Sequence, residues 1–171
     1  MTILTVTHDP NNPQRGTLRC GARTFACVLG RAGISAQKKE GDGATPAGRY
    51  PLRRVLCRAD KMGAPRTGLP VSIIQRNDGW CDAPGDANYN RPVTHPYAAS
   101  AEEMWRADER YDIVVVVGHN DAPVIDGAGS AIFMHLAAQE GTPTAGCVAL
   151  AREDLLAVLA ACGPGSEIEI V

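Results

Sequence analysis

Alternating apolar and polar positions predict a series of short strands in the first half of the chain. Residues 3–6 alternate with threonine, as a half-buried strand does. Residues 16–20 and 24–29 flank a short glycine-containing turn and predict a hairpin. Strand character returns over residues 50–57 and again over 71–75.

The second half carries the most apolar runs. Residues 111–118 (YDIVVVVG) predict a central strand that is buried on both faces. Residues 131–134 predict another buried strand, with His135 at its end. A leucine stripe over 151–161 indicates a helix stopped by Gly-Pro-Gly, and residues 166–171 predict a closing strand.

Two further segments complete the predicted architecture. Residues 100–109 open with a capping box formed by Ser100 and Glu103, which predicts a short amphipathic helix. Residues 77–96 are rich in Pro, Gly and Asn and have the length of a functional loop. The expected fold is therefore mostly β with two short helices, in a single domain over residues 1–171.

Charge and hydropathy exclude several classes of partner. The formal net charge is −2 and the sequence pI is about 6.1, so no phosphate-neutralising surface for nucleic acid is expected. No apolar run reaches eighteen residues, so no transmembrane segment is expected. The first residues show no basic segment, long apolar run or cleavage site, and no secretory signal is visible.

The six cysteines predict neither a zinc site nor a clear disulfide framework. None forms a C-x-x-C pair, although Cys20 and Cys27 flank a turn and could face each other across the hairpin. His119, His135 and Cys147 have the residue types of metal ligands but lack ligand spacing. We expect no metal and no cofactor, and we interpret all cysteines except Cys147 as small buried hydrophobic residues.

His135 and Cys147 have the residue types of a thiol–imidazole active site. They lie at the two ends of one loop, and small residues at 144–146 (TAG) allow close approach of a backbone to the thiol. Each residue alone is equally well explained as part of the core, whereas the pair favours catalysis. His119, beside Asn120 at the end of the central strand, is a further candidate or else an ordinary turn histidine.

Two blocks of this sequence resemble the YkuD-type L,D-transpeptidase catalytic domain. The first is residues 39–48 (KEGDGATPAG), similar to a "GD-x-x-TP-x-G" motif, and the second joins 129–135 (GSAIFMH) to 144–150 (TAGCVAL), similar to "H…[S/T]-x-G-C". The resemblance runs from about residue 27 to residue 171. It implies a β-sandwich-like fold with the cysteine and histidine at the mouth of a groove.

The resemblance also implies an activity on peptidoglycan. Cys147 would attack a stem-peptide carbonyl at an L-centre and form a thioester, which an amine such as that of diaminopimelate resolves. His135 would be the general base, and the N–H groups of Gly146 and Cys147 would face the oxyanion. Such an enzyme serves cell wall biogenesis and cell shape, works in the periplasm or cell envelope, and is open to acylation by carbapenems.

Substrate contacts are expected from six residues. Thr144 takes the family's Ser/Thr position, and Ser130 lies in the second block. Tyr89 and Arg91 lie in the long loop, where an arginine suits a stem-peptide carboxylate or is simply a surface residue. His119 and Asn120 are the remaining two.

The sequence departs from the family pattern at two positions beside the thiol. Many members have histidine where this chain has Ala145, and Arg or Asn where it has Ala149. His119 could take the place of the missing histidine. The departures resemble a divergent branch of small single-domain members. That resemblance implies cross-links of the 1,3 type, from L-alanine to diaminopimelate, instead of the 3,3 type between two diaminopimelate residues.

Three other functions remain open from the sequence. Water in place of the acceptor amine would make the protein an L,D-carboxypeptidase or endopeptidase. Loss of activity would leave a wall-binding protein that retains the fold. A thiol hydrolase of small cytosolic peptides would fit the absence of a visible signal.

Overall fold

The computed structural model describes residues 1–171 and contains fourteen strands and one helix. The strands are β1 Ile3–Asp9, β2 Asn12–Cys20, β3 Arg23–Val28, β4 Ile34–Ser35, β5 Thr45–Pro46, β6 Gly48–Cys57, β7 Val71–Ile73, β8 Asp78–Cys81, β9 Pro92–Thr94, β10 Ala101–Glu103, β11 Ile113–Val117, β12 Phe133–Leu136, β13 Val148–Leu150 and β14 Glu167–Ile170. The helix, α1, spans Arg152–Ala160. The mostly β fold class predicted from the sequence is confirmed.

Nine strands form one sheet that curls back on itself. Their order is β11-β12-β13-β3-β2-β1-β14-β6-β7, and β11 also pairs with β6. This extra pairing runs antiparallel from Ile113 opposite Cys57 to Val117 opposite Leu52. The sheet is therefore closed like a barrel, and the sandwich-like arrangement expected from the sequence is corrected in this respect.

The helix predicted over residues 100–109 is wrong. Residues Ala101–Glu103 form strand β10, which pairs antiparallel with β8 and places Glu102 opposite Trp80. The Tyr111 hydroxyl donates a hydrogen bond to Glu102 at 2.5 Å. Cross-strand pairing and this tertiary bond outweigh the local capping preference, which is a weak determinant on its own.

The central strands have two different faces. On one face, alternate residues of β11, β12 and β13 join the main apolar core; they are Ile113, Val115, Val117, Met134, Leu136, Val148 and Leu150. On the other face, Val114, Val116 and Phe133 form a smaller cluster that includes Cys147. The strand period of two therefore assigns the main core to one side and the thiol to the other.

His135 lies inside strand β12 and not at its end as predicted from the sequence. It pairs with Val114 of β11 and with Ala149 of β13. Helix α1 agrees with the prediction for residues 151–161 and buries Leu155, Val158 and Leu159. No helix of the fold has both the length and the apolar character needed to cross a membrane.

Candidate active site

Cys147 and His135 line one cavity of about 510 Å³. The pairing of β12 with β13 is parallel, with Met134 opposite Val148 and His135 opposite Ala149. Because side chains alternate between faces, Phe133, His135, Cys147 and Ala149 all lie on the same side of the sheet. The structure therefore brings together the two residues that the sequence selected for thiol–imidazole chemistry.

The thiol of Cys147 is held between two backbone groups. Its Sγ donates a hydrogen bond to the carbonyl oxygen of Ala131 at 3.3 Å and accepts one from the N–H of Phe133 at 3.4 Å. Ala131 has a φ of 52°, which is uncommon for a residue other than glycine. Strained backbone of this kind is often found at functional sites, and here it aims a carbonyl at the sulfur.

The resting state of Cys147 is the neutral thiol. Burial raises the pKa of Cys147 to about 12, and the charge of Glu102 acts in the same direction. The Phe133 N–H and the Lys38 ammonium favour the thiolate but do not offset burial. The thiol must therefore lose its proton during the attack instead of being ionised beforehand.

His135 is neutral, with one ring nitrogen available as a base. Its Nδ1 lies 2.8 Å from the carbonyl oxygen of Leu136, which only accepts, so Nδ1 carries the proton. Nε2 is then the nitrogen with a free lone pair. Burial lowers the pKa of His135 to about 4, and the ring of Tyr111 packs against the imidazole with centroids 5.3 Å apart.

No hydrogen bond joins Cys147 directly to His135. Each makes its hydrogen bonds to backbone groups, through Sγ in the first case and Nδ1 in the second. Catalytic hydrogen bonds are often unmade in an unliganded site and form only with substrate present. The arrangement is that of two neutral partners on one face of the sheet.

The backbone N–H groups expected to form an oxyanion hole differ from each other. The N–H of Gly146 donates to Oγ1 of Thr144 at 3.1 Å, and the same hydroxyl donates to the carbonyl oxygen of Cys147 at 2.7 Å. The N–H of Cys147 has no hydrogen-bond acceptor within the chain. The sequence-based prediction requires both N–H groups to be free. In this structure the N–H of Cys147 is free, whereas the N–H of Gly146 is already bonded.

The segment before β6 is not the solvated loop that its composition suggests. The side chain of Lys38 is only 7% exposed and its ammonium lies 2.5 Å from Oδ1 of Asp42. Oδ1 of Asp42 also accepts the N–H of Ala44, and the buried hydroxyl of Thr45 accepts the N–H of Gly30. This segment, residues 38–46, packs beside the thiol cavity because its polar groups are bonded within the fold.

Two of the predicted substrate-binding residues meet at a carboxylate. Tyr89 and Ser130 both donate to Oε2 of Glu40, at 2.5 and 2.7 Å. The Tyr89 hydroxyl also accepts the N–H of Gly129 at 3.0 Å. Ser130 and Glu40 line the thiol cavity, whereas Tyr89 is buried outside the cavity and is hydrogen-bonded to Glu40 and Gly129. Sequence reasoning missed Glu40, although it lies inside the first family-like block.

Asn90 is a buried side chain whose structural role the sequence did not indicate. Its Oδ1 accepts the N–H of Ala131 and the indole N–H of Trp80, both at 3.0 Å. Its Nδ2 donates to the carbonyl oxygens of His119 and Asn120. Asn90 therefore holds the strained Ala131 in place; only its position between Tyr89 and Arg91 in the long loop could have indicated it.

His119 and Arg91 line a different cavity of about 350 Å³. Nε2 of His119 donates to the carbonyl oxygen of Ala128 at 3.0 Å, and burial lowers its pKa. Asn120 bonds through its side chain to the backbone of Ile125 and Gly129. The structure does not bring His119 into the thiol cavity, so it does not replace the histidine absent at Ala145.

The structure contains no candidate metal cluster and no pair of bonded cysteines. No three His, Cys, Asp or Glu side chains are placed to hold a metal ion. All six cysteines are free thiols, and five of them are buried. Cys27 lies opposite Gly16 and Cys20 opposite Arg23, so the two do not face each other across the hairpin.

Comparison with known proteins adds a family match. A sequence model of the YkuD family, described as the L,D-transpeptidase catalytic domain, matches residues 11–170. Comparison with curated protein sequences finds no match. The crystal structure of L,D-transpeptidase 1 from Mycobacterium tuberculosis is similar, at 15% identity and a TM-score of 0.42. That alignment covers 99% of this chain and 62% of the mycobacterial chain.

Proposed function

Since this chain belongs to the YkuD family of L,D-transpeptidase catalytic domains, we propose that it is a cysteine acyltransferase acting on peptidoglycan stem peptides. One observation carries the proposal. Cys147 and His135 line the same cavity, and the protonated Nδ1 of His135 leaves Nε2 as the base. A nucleophile and a base on one rigid sheet face are what acyl transfer through a thiol requires.

The proposed reaction begins with attack of Sγ of Cys147 on a stem-peptide carbonyl carbon at an L-centre. As the C–S bond forms, the thiol proton passes to Nε2 of His135 and the carbonyl oxygen becomes negatively charged. The N–H of Cys147, which has no acceptor within the chain, is free to donate a hydrogen bond to this oxygen. The bond to the following D-residue then breaks, and its departing amine takes the proton from Nε2.

The second half of the reaction resolves the thioester. An acceptor amine attacks the thioester carbonyl, and Nε2 of His135 takes one of its protons. The C–S bond breaks and the sulfur receives that proton, which restores the neutral thiol. Starting and ending with neutral partners agrees with burial, which raises the pKa of Cys147 to about 12 and lowers that of His135 to about 4.

We also propose a specific acceptor and product for this chain. The acceptor is the side-chain amine of diaminopimelate, and the product is a cross-link of the 1,3 type. The charged wall of the thiol cavity supports a zwitterionic substrate, since it contains Glu40, Asp82, Glu102, Lys38, Arg106 and Arg110. A substrate of this class implies action in the cell envelope.

The burial of the sulfur favours one rival function, a wall-binding protein without catalytic activity. Only 7% of Cys147 is exposed, and both hydrogen bonds of Sγ are to backbone groups. A substrate must therefore displace the contact between Sγ and the Ala131 carbonyl before attack. A thiol that never leaves this contact would bind peptidoglycan without acylation.

Intact-mass spectrometry after incubation with a carbapenem tests the proposal directly. We expect a single adduct on the wild-type protein, none on Cys147→Ala, and an unchanged adduct on Cys162→Ala, which removes a different buried thiol. Stem tetrapeptides with and without an amine acceptor then separate transfer from hydrolysis. Binding of stem peptides with no adduct from either reagent would favour the inactive wall-binding protein.

A further inference from the structure

The thiol cavity contains a buried cation that the proposed reaction has not yet used. The side chain of Lys38 is 7% exposed and lines the same cavity as Cys147 and His135. A buried ammonium needs partners, because desolvation of a charge costs several kcal/mol. Its single partner within the chain is Asp42.

Two glycines leave the space through which Lys38 reaches the site. A β-carbon on Gly129 would lie 3.0 Å from Cγ and Cε of Lys38, and Gly129 has a φ of 104°. A β-carbon on Gly146 would lie 3.5 Å from Nζ of Lys38 and 2.7 Å from the Ala44 carbonyl oxygen. The ammonium is thus placed beside the residue that precedes the thiol, and larger side chains would displace it.

One of the two backbone donors expected for the oxyanion hole is already bonded within the chain. Such a hole ordinarily uses at least two donors aimed at the developing charge. The N–H of Gly146 is already bonded to Thr144, whose own proton is donated to the Cys147 carbonyl oxygen. Of the two donors expected from the sequence, only the N–H of Cys147 is therefore free.

Lys38 has the capacity to be that second donor. An ammonium group carries three N–H bonds, and the only hydrogen bond of Lys38 within the chain is the one to Asp42. Two N–H bonds remain for the cavity. Among charged side chains, Lys38 is also the one cation that favours the ionised form of Cys147.

We propose that Lys38 is a catalytic residue whose ammonium donates a hydrogen bond to the oxyanion formed when Cys147 attacks its substrate. This role rests on the proposed acyl transfer at Cys147. The ammonium keeps its proton throughout the reaction and acts on the charge of the tetrahedral intermediate. In this chain it supplies positive charge close to the position where Ala145 replaces the family's second histidine.

A pair of variants isolates the ammonium from its role in folding. Lys38→Met alone would leave the Asp42 carboxylate without its cation, so the comparison uses Asp42→Asn and the double variant Lys38→Met/Asp42→Asn. Lys39→Met is the matched control, since Lys39 is exposed and its side chain makes no hydrogen bond. Thermal unfolding midpoints of the wild type and of these three variants show whether each protein remains folded.

Two reactions of Cys147 separate an oxyanion role from a general effect on the thiol. Acylation by a carbapenem passes through an oxyanion, whereas alkylation by iodoacetamide does not. We expect the double variant to be acylated about 10²-fold more slowly than Asp42→Asn, as for loss of one oxyanion donor. Alkylation at Cys147, measured by peptide mass spectrometry, should slow by less than about tenfold, because alkylation forms no oxyanion for the ammonium to stabilise.

The outcomes are distinct. Equal slowing of acylation and alkylation, or unchanged acylation in the double variant, would overturn the oxyanion role of Lys38. The role is supported if acylation slows in the double variant while alkylation changes little, and if Lys39→Met is acylated at the wild-type rate. A wild-type protein that takes up no acyl group would contradict the proposed function, and the role of Lys38 with it.

Discussion

Two cavities of this molecule are lined by a histidine, the buried His135 in one and the half-buried His119 in the other, and they differ in what lies beside the ring. In both, one ring nitrogen bonds to a backbone carbonyl oxygen, of Leu136 for His135 and of Ala128 for His119. Burial lowers the pKa of both. Only His135 shares its cavity with a thiol, so the surroundings and not the protonation state distinguish the candidate base.

The second cavity has a different chemical character. The side chains of Arg54 and Arg91 line it and make no hydrogen bond or ion pair within the chain, whereas the side chain of Arg53 is paired with Asp121. Its apolar wall includes Phe133, which belongs to the same strand as His135. The two cavities therefore lie against a common strand, and each can be altered separately.

Replacement of His135 should have the largest effect. His135→Gln removes the base from the thiol cavity, and we expect acylation of Cys147 to slow by about 10²–10⁴-fold. Intact-mass time courses with a carbapenem measure this rate. The matched control is His8→Gln, which changes an exposed histidine of strand β1. Acylation of His135→Gln at the wild-type rate would exclude His135 as the base.

Replacement of Asn90, which lies between the two cavities, should lower the free energy of unfolding more than the other substitutions do. Asn90→Ala leaves the N–H groups of Trp80 and Ala131 without their acceptor, and both are buried. We expect the free energy of unfolding to fall by about 3–4 kcal/mol, since each orphaned group costs about 1–3 kcal/mol. Chemical denaturation measures it. Asn88→Ala, an exposed change in the same loop, should cost far less.

The pH dependence of stability should also report the environment of His135. Its pKa is about 4 in the folded protein and 6.5 for the unperturbed group, so the unfolded chain binds more protons between these values. The contribution of His135 to the free energy of unfolding is then complete above pH 6.5. It falls by about 3 kcal/mol as the pH falls towards 4. Arg110 and Arg106 add to the lowering of this pKa, while Asp108 opposes it.

A comparison of pH profiles isolates this contribution. The difference in unfolding free energy between the wild type and His135→Gln should change between pH 6.5 and 4 and level off outside that window. Denaturation curves at half-unit pH steps measure it. A constant difference across the window would show that His135 has an ordinary pKa in the folded state.

Replacement of His119 should have the smallest effect on chemistry. His119→Gln removes a half-buried hydrogen bond to the Ala128 carbonyl oxygen and an edge contact with Tyr50, whose ring centroid is 5.2 Å away. We expect a loss of about 1 kcal/mol in stability and acylation within a few-fold of the wild type. Marked slowing of acylation would restore the hypothesis that His119 replaces the family's second histidine.

The candidate thiol and imidazole could be selected from the sequence because they lie in two short motifs. Residues 129–135 and 144–150 each form a strand or its approach, and a strand period of two is visible in the residues themselves. The same local reasoning failed at residues 100–109. There the capping box of Ser100 and Glu103 predicts a helix, but pairing with β8 gives a strand.

The remaining parts of the candidate site depend on residues far apart in the chain. Asn90 meets the backbone of Ala131 across 41 positions, and Glu40 meets Ser130 across 90. Lys38 approaches Gly146 only because residues 38–46 pack against the loop before β13. Composition alone cannot predict these contacts, since it contains no information on which partners the fold supplies.

The sequence by itself therefore determined the β-rich class, the positions of the longer strands along the chain, the family and the candidate thiol and imidazole. These depend on local periodicity and on short motifs. Tertiary structure decided that the sheet closes, that His119 lies in a separate cavity, and that Lys38 lies beside Cys147. The physical reason is that a buried polar group is stable only with partners, and long-range strand pairing determines which partners it meets.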